Sequence, residues 1–335
     1  MSMAAADSSH VLLDVCGLNV SFNSPDGVVE AVRGVSFKLE QGRTLGIVGE
    51  SGSGKSVSTQ SIVGLVHGAR ISGQARFDGQ DLLTMTKPQL RAIRGPGIAM
   101  IFQNPMSSLH PLYPIGWQIS EMIRAHEPTS RSQARQRAIE LLGQVGIPRP
   151  GVRVDDYPHQ YSGGMLQRAM IAMAIALNPR VLIADEPTTA LDVTVQAQIL
   201  RLLRHIQEQF GTAIIMITHD LGVVSEIAHD VMVMYAGRAM EQASRETLLR
   251  RPRHPYTQGL LRSRPQPGAP GNPLTPIPGQ PPSLIGGARG CLFQPRCTQA
   301  ISRCAVDMPP LTALRADGND PHRSACWLTQ AEVAS

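Results

Sequence analysis

The segment GESGSGKS at residues 49–56 constrains this chain more than any other part of its sequence. It follows TLGIVG, a nearly continuous apolar run that is typical of a strand buried on both faces. The glycines let backbone N–H groups surround phosphate oxygens, while Lys55 can reach the β- and γ-phosphates and Ser56 can offer its hydroxyl to Mg²⁺. This order of strand, glycine-rich loop and helix predicts a nucleoside triphosphate site.

A second apolar run, VLIADEP, ends in two adjacent carboxylates, Asp185 and Glu186. The first carboxylate is suited to hold Mg²⁺, directly or through water, and the second can polarise the water that attacks the γ-phosphate. Alone, such a pair is as often a solvated turn, but the phosphate loop upstream favours the catalytic interpretation. We therefore predict that Asp185 is a metal ligand and that Glu186 is catalytic.

A third segment, YSGGM, precedes a helical pattern. Ser162, Gly163 and Gly164 at a helix start would expose a hydroxyl and backbone N–H groups, which predicts a second anion site with no obvious ligand in its own subunit. The alternative is an ordinary capped helix start.

The other patterns alternate between strands and helices. Apolar alternation predicts a strand over LLDVCGLNV, in which we expect Cys16 to be a buried thiol, and TAIIMITHD predicts a strand buried on both faces. Helices are predicted from Ser130 to Gly146 and over 195–210, and a hairpin at Gly237. Such an order predicts an α/β fold with a mostly parallel sheet.

Composition excludes few functions. The chain has 335 residues and a formal charge of +5, which suits nucleic acid or the anionic face of a membrane but also a mildly basic surface with no such partner. No apolar run approaches the roughly 18 residues of a membrane helix. The N-terminal decapeptide has no basic start and no apolar core, so we predict no export signal and a cytosolic chain.

These segments resemble the motifs of the ATP-binding subunits of ABC transporters. GESGSGKS resembles the Walker A loop, VLIADE resembles Walker B, and YSGGM resembles the family signature with Met165 where Gln is usual. Further likenesses follow in the family's order: Phe22 for the aromatic that stacks on adenine, IFQNP with Gln103 for the Q-loop, ALD with Asp192 for the D-loop, and ITHD with His219 for the switch histidine.

The resemblance implies a fold and a set of ligand contacts. The fold would be a P-loop, RecA-like ABC ATPase core over residues 1–262, with an antiparallel β subdomain and a helical subdomain at about 105–170. Residues 263–335 would form a proline-rich linker and a small C-terminal module of the oligopeptide-importer type with four cysteines. His219 would contact the γ-phosphate and position the attack, and Ser56, Gln103 and Asp185 would hold Mg²⁺. The implied nucleotide contacts are Phe22, Gly49, Glu50, Ser51, Gly52, Ser53, Gly54, Lys55, Ser56, Val57, Gln103, Ser162, Gly163, Gly164 and Asp192.

The partners implied are those of a bacterial importer. RHPYTQGLL and GCLFQPRC are among the segments that closely resemble the dipeptide and oligopeptide subgroup, above all the D-type ATPase of dipeptide importers. A second, related ATPase would close head to tail with this chain, so that the signature of one subunit clamps ATP on the other. Two transmembrane permease subunits and an outside peptide-binding protein would complete an assembly at the inner membrane, with this chain peripheral on its cytoplasmic face.

Two alternatives remain open on sequence alone. One is a soluble ABC-type ATPase that acts on nucleic acid or ribosomes, although the single cassette and the lack of a long coiled-coil insertion disfavour it. The other is an importer of the same subgroup for a non-peptide solute such as a nickel chelate.

Four cysteines cluster near the end of the chain with the spacing C-x5-C-x6-C-x21-C: Cys291, Cys297, Cys304 and Cys326. The paired knuckles of structural zinc sites are absent, and the spacing alone leaves zinc, an iron-sulfur cluster and free thiols open. A cytosolic chain disfavours disulfides. The resemblance to the peptide importers implies a [4Fe-4S] cluster on these four residues.

Overall fold

The computed structural model describes residues 10–189, 191–263, 276–287, 289–314 and 321–334. Its strands are β1 (Val11–Ser24), β2 (Gly27–Glu40), β3 (Thr44–Val48), β4 (Ala69–Phe77), β5 (Gln80–Asp81), β6 (Ile98–Ile101), β7 (Val181–Asp185), β8 (Ala213–Thr218), β9 (Asp230–Tyr235), β10 (Arg238–Ser244), β11 (Thr312–Ala313) and β12 (Arg323–Ser324). Its helices are α1 (Lys55–Ile62), α2 (Lys87–Ile93), α3 (Pro105–Ser108), α4 (Ile115–His126), α5 (Arg131–Gln144), α6 (Pro150–Arg153), α7 (Gly163–Ile175), α8 (Val193–Phe210), α9 (Leu221–Ile227), α10 (Arg245–Arg250), α11 (Pro255–Arg262), α12 (Ser302–Val306) and α13 (Trp327–Ala334).

The chain divides into two compact units. The first comprises Met1–Leu12, Leu39–Arg43 and Thr84–Ile217, and the second comprises Leu13–Lys38, Thr44–Leu83 and Thr218–Ser335. Each unit contains parallel strand pairs together with helices, in agreement with the predicted α/β class.

Three parallel strands form the sheet of the first unit, with β7 between β6 and β8. Every residue of β7 and β8 is buried, which explains why both segments are continuous apolar runs rather than alternating ones. Helices α3 to α7 cover the stretch predicted to be helical. Helix α5 begins as the sequence predicts, because Ser130 accepts a hydrogen bond from Gln133 N and forms a capping box with it.

Helix α8 ends at Gly211, whose backbone is left-handed with φ of 64°. Along this helix, Ile199, Leu203 and Ile206 are buried. The last helical residue, Phe210, is 40% exposed.

The second unit holds two sets of strands. One is an outlying sheet in the order β2-β1-β4-β5, in which β4 is antiparallel to both β1 and β5. In the other, β3 is parallel to β9, and β9 and β10 form the predicted hairpin, with Tyr235 paired to Arg238 across Gly237.

The prediction that Cys16 is buried is wrong, because Cys16 is exposed on β1. Leu13 and Val15 point into the core, so strand alternation places Cys16 on the opposite face. The apolar pattern continues beyond it only because an irregularity between Cys16 and Asn19 shifts the register.

The C-terminal segment packs into the second unit. Strand β12 is antiparallel to β10, with Ser324 paired to Glu241, and β11 pairs with β12. Leu292 and Phe293 belong to the same buried cluster as Tyr235 and Tyr256. Four of the linker prolines, at 265, 267, 270 and 273, lie outside the described residues.

Candidate functional site

The glycine-rich loop connects the buried strand β3 to helix α1. A Cβ atom at Gly49 would lie 2.1 Å from the carbonyl oxygen of Met234, and one at Gly54 would lie 2.3 Å from that of Ala31. Gly54 also has a φ of 92°, which side chains rarely adopt. These two positions therefore require glycine, whereas Gly52, with φ of 76°, has open space around it.

Lys55 lies buried in the first turn of α1, with only 5% of its surface exposed. Its ammonium donates hydrogen bonds to the carbonyl oxygens of Gly49 at 2.7 Å and Glu50 at 2.9 Å. Ser53 is buried and Ser51 is exposed, while Ser56 and Val57 continue the first turn of the helix as half-buried residues. Lys55, which is predicted to bind phosphate, therefore folds back over its own loop, and its ammonium group points at the loop carbonyl oxygens.

Glu50 in this loop is held by residues from the C-terminal part of the second unit. Its backbone N–H donates to the hydroxyl of Tyr256 at 3.0 Å, and its two carboxylate oxygens accept from the Arg296 guanidinium at 2.6 and 3.0 Å. Sequence analysis assigned no role to Tyr256 or Arg296. Both lie in segments whose resemblance was noted, RHPYTQGLL and GCLFQPRC, so the only signal was that likeness.

In the first unit, Glu186 follows directly after β7 and is half-buried. Its Oε2 accepts hydrogen bonds from Gln103 Nε2 at 2.8 Å and from Thr189 Oγ1 at 2.9 Å. Its backbone has a φ of 47°, uncommon for a residue with a side chain and typical of strained functional positions. The structure thus brings together Gln103 and Glu186, and adds Thr189, which sequence analysis missed.

Asp185 is the last residue of β7 and is 3% exposed. A carboxylate buried to this extent is typically paired or bound to a metal ion, which fits the role predicted for it. Its place at the carboxyl end of a buried parallel strand is the usual position for ligand-binding residues in α/β folds.

The signature segment forms the start of α7, and Ser162 caps the helix by accepting a hydrogen bond from Met165 N at 3.3 Å. Gly163 has open space around it, while a Cβ at Gly164 would lie 3.2 Å from Val195 Cγ1. Asp192 caps the neighbouring helix α8 by accepting from Val195 N at 2.9 Å. The signature and D-loop residues therefore lie at adjacent helix starts. Ala190 of the ALD segment lies outside the described residues.

The two remaining predicted residues belong to the second unit. His219 is exposed in the loop between β8 and α9, where Asp220 caps the helix by accepting from Gly222 N at 2.6 Å. Phe22 is half-buried on β1, opposite Ala69 of β4. The roles of these residues stay predictions.

Residues 32–189 match the family model described as ABC transporter, and residues 240–304 match that described as the oligopeptide/dipeptide transporter C-terminal region. The dipeptide transport ATP-binding protein DppD of Escherichia coli K12 is 49% identical over 309 residues, which span 92% of this chain and 94% of the relative. The chain belongs to the ABC transporter ATPases.

Two further likenesses agree with this. The oligopeptide transport ATP-binding protein OppD of Bacillus subtilis 168 is 48% identical over 96% of this chain and 90% of its own length. The solved ATP-binding cassette MJ0796, a dimer in a post-hydrolysis state bound to ADP and Pi, superposes with a TM-score of 0.63 at 26% identity, covering 70% of this chain and 98% of its own. An ATPase that acts on nucleic acid or ribosomes finds no support in these matches.

The four C-terminal cysteines of this ABC transporter ATPase line one common cavity in the second unit, together with Phe293. The N–H of Cys291 donates to the carbonyl oxygen of Cys304 at 2.7 Å, which ties the two cysteine segments together. Burial raises the pKa of the Cys291 thiol to about 11, and the neighbouring cysteines add to that shift. Burial likewise raises the pKa of Cys297 and Cys326.

Backbone N–H groups point at three of these sulfurs: that of Phe293 at Cys291, that of Gln299 at Cys297, and those of Leu328 and Thr329 at Cys326. Yet no group of three or more His, Cys, Asp or Glu side chains among the described residues is arranged closely enough to hold a metal ion as it stands. The four thiols and the N–H groups suit a metal centre bound by thiolates, but the sulfurs are not arranged closely enough to act together as its ligands.

Of the helices that the structure describes, none has the length and apolarity to cross a membrane.

Proposed function

We propose that this ABC transporter ATPase is the ATP-hydrolysing subunit of a bacterial importer for dipeptides or oligopeptides. The observation that carries the proposal is the likeness to DppD and OppD over 92% and 96% of the chain, which includes the C-terminal region as well as the cassette. Its reaction converts ATP and water to ADP and phosphate and is coupled to peptide import.

The residues have complementary roles in that reaction. Lys55 and the loop N–H groups would bind the phosphates. Ser56 and Asp185 are the residues that would hold Mg²⁺, and the ion would neutralise charge on the phosphates. Glu186 polarises the attacking water, and the hydrogen bond from Gln103 fixes the orientation of its carboxylate. His219 contacts the γ-phosphate.

The assembly would contain further subunits. A second, related ATPase would provide its ATP to the signature at Ser162 to Gly164, where the helix start offers N–H donors. Two permease subunits would contact the helical region, where Tyr113 and Trp117 are exposed and stacked with ring centroids 4.1 Å apart. This subunit would lie at the cytoplasmic face of the inner membrane, and a binding protein outside would deliver the peptide.

The decisive test is peptide uptake by vesicles that contain the whole assembly. We expect ATP-dependent uptake of a labelled dipeptide or short peptide, and no uptake when this subunit carries Glu186→Gln. ATP hydrolysis with uptake of a nickel chelate but no peptide would replace the substrate class and keep the ATPase. Failure to associate with any membrane subunit would contradict the importer assignment.

We also propose that Cys291, Cys297, Cys304 and Cys326 bind a [4Fe-4S] cluster as a structural element of the C-terminal segment. The shared cavity and the N–H groups directed at three sulfurs support it, since such hydrogen bonds accompany thiolate ligands of iron-sulfur clusters. Binding would require the buried thiols to lose their protons and approach one another further than in the structure.

Analysis of protein purified without oxygen tests the cluster. We expect an absorption band near roughly 400 nm and about four irons and four sulfides per chain, both lost in Cys297→Ser. Cys16→Ser is the matched control, since this exposed cysteine lies on β1. Zinc in place of iron, or no metal, would contradict the cluster and leave the ATPase assignment intact.

A further inference from the structure

Arg296 reaches from the cysteine segment to the Walker A loop. It ends the short 3₁₀ turn Gln294–Arg296, between Cys291 and Cys297, and its side chain is 5% exposed. Its guanidinium forms a bidentate ion pair with the carboxylate of Glu50, a loop residue. A buried charge with such a partner is placed with directional precision, because the planar fork fits a carboxylate in one orientation.

The remaining donors of Arg296 are also used. Its Nε–H donates to Pro278 O at 2.8 Å, and its terminal nitrogens donate to Ile277 O at 3.3 Å and to the Tyr235 hydroxyl at 3.3 Å. Together with the two bonds to Glu50, all five N–H groups of a guanidinium have acceptors. The arginine is thus fixed at both ends, by the C-terminal segment and by the loop.

Glu50 passes this constraint to the phosphate-binding lysine. Its carboxylate is held by Arg296 and its N–H by Tyr256, while its carbonyl oxygen accepts from Lys55 Nζ. Three groups of one loop residue are therefore fixed. Arg296 thus contacts the residue whose carbonyl oxygen accepts from the lysine.

The aromatic packing makes the support rigid. Phe293, three residues before Arg296, lies with its ring centroid 5.4 Å from that of Tyr235 and 5.3 Å from that of Tyr256. Both tyrosines are almost completely buried. The segment that carries Arg296 is thereby anchored in the same core that supports the loop.

We propose that Arg296 is a positioning residue for nucleotide binding, which acts through Glu50 to hold the Walker A loop in the conformation that receives the phosphates. The C-terminal cysteine segment thereby sets nucleotide affinity without touching the nucleotide. This inference rests on the ATP-binding part of the proposed function and adds a residue that lies outside the nucleotide-binding motifs.

The test is calorimetric titration of the full chain with Mg-ADP, which avoids hydrolysis, together with steady-state ATPase kinetics. We expect Arg296→Gln to weaken Mg-ADP binding about tenfold and to raise the KM for ATP similarly, with kcat within about twofold of the original chain. Arg296→Lys should lie between the two, because lysine keeps the charge but not the fork. Arg250→Ala removes an exposed ion pair with Glu246 and should leave binding unchanged.

A double-mutant cycle distinguishes this route from others. If Arg296 acts through Glu50, the double variant Glu50→Gln/Arg296→Gln should bind Mg-ADP no more weakly than the weaker of the two single variants, Glu50→Gln and Arg296→Gln. Additive losses, or Arg296→Gln that is folded by circular dichroism and binds within twofold of the original chain, would overturn the proposal. If Arg296→Gln does not fold, Arg296→Lys decides on the same criteria. Failure of the original chain to bind Mg-ADP would instead contradict the proposed function.

Discussion

The amide of Gln103 donates a hydrogen bond to the carboxylate of Glu186, although 83 residues separate them in the chain. The acceptor is Oε2, which also accepts from Thr189. A carboxylate oxygen with two donors is fixed in one orientation. The catalytic predictions follow from this arrangement.

Glu186→Gln should abolish hydrolysis while nucleotide binding persists. The amide is isosteric but cannot polarise water as a carboxylate does, so we expect kcat to fall at least about 100-fold. Phosphate release measures kcat, and Mg-ADP titration measures binding. Glu208→Gln, a change at an exposed residue of α8, is the control. Retention of kcat within about tenfold would show that another group activates the water.

Thr189→Val should lower kcat about tenfold, because one donor to the Glu186 carboxylate is lost and hydrogen bonds to charged groups contribute about 1.5–3 kcal/mol. The substitution preserves shape and leaves Gln103 in place. Thr194→Val, at an exposed position on α8, serves for comparison. Equal kcat values for both variants would mean that Thr189 does not orient the carboxylate.

Gly49→Ala should destabilise the protein by about 2–4 kcal/mol, because its Cβ would overlap the Met234 carbonyl at 2.1 Å. Gly52→Ala in the same loop meets no atom and should cost only about 1–2 kcal/mol, from its left-handed backbone. Urea denaturation gives both free energies of unfolding. Similar losses for the two variants would argue against the steric explanation.

Stability should fall with pH between about 6.5 and about 4 because of His254. Burial lowers the pKa of this histidine to about 4. Its Nδ1 accepts from Tyr256 N and its other ring nitrogen bonds the Ala325 carbonyl, so the neutral ring satisfies both partners. The unfolded chain takes up the proton near pH 6.5 and the folded chain does not, which removes up to about 3 kcal/mol as pH falls.

Free energies of unfolding measured across this range check the effect. His254→Asn keeps a side chain that can cap α11 but does not titrate, so we expect a flatter pH dependence. His205→Asn, at an exposed position on α8, should retain the original slope. A slope unchanged by His254→Asn would assign the pH dependence to other groups.

Local chemistry explains what the sequence could predict. Some features depend only on a residue's own backbone or on its near neighbours, so the residue type is enough to predict them. Examples are the glycines of the Walker A loop, the helix cap at Ser130 and the helix end at Gly211. Whether a side chain is buried depends on residues that are distant in the chain. Cys16 was misplaced because the irregularity after it changes the face of the strand, and apolar alternation cannot locate such an irregularity.

Long-range pairs escaped prediction for a different reason. Arg296 and Glu50 are 246 residues apart, and no sequence pattern around either residue indicates that they form a pair. Charged residues are mostly exposed, so an arginine after a proline in a short segment gives no indication that it is buried in an ion pair. The cysteine segment could be recognised as unusual, but its attachment to the nucleotide loop could not.

The pairing of β12 with β10 constrains how this protein is made. Ser324 lies opposite Glu241, whose buried carboxylate also accepts from His322 at 2.7 Å. The edge of β10 that faces away from β9 therefore lacks its neighbour until residue 324 has been synthesised. Domains generally fold as units during synthesis. Here a nascent chain halted at residue 263 would expose that edge of β10 to unwanted strand pairing.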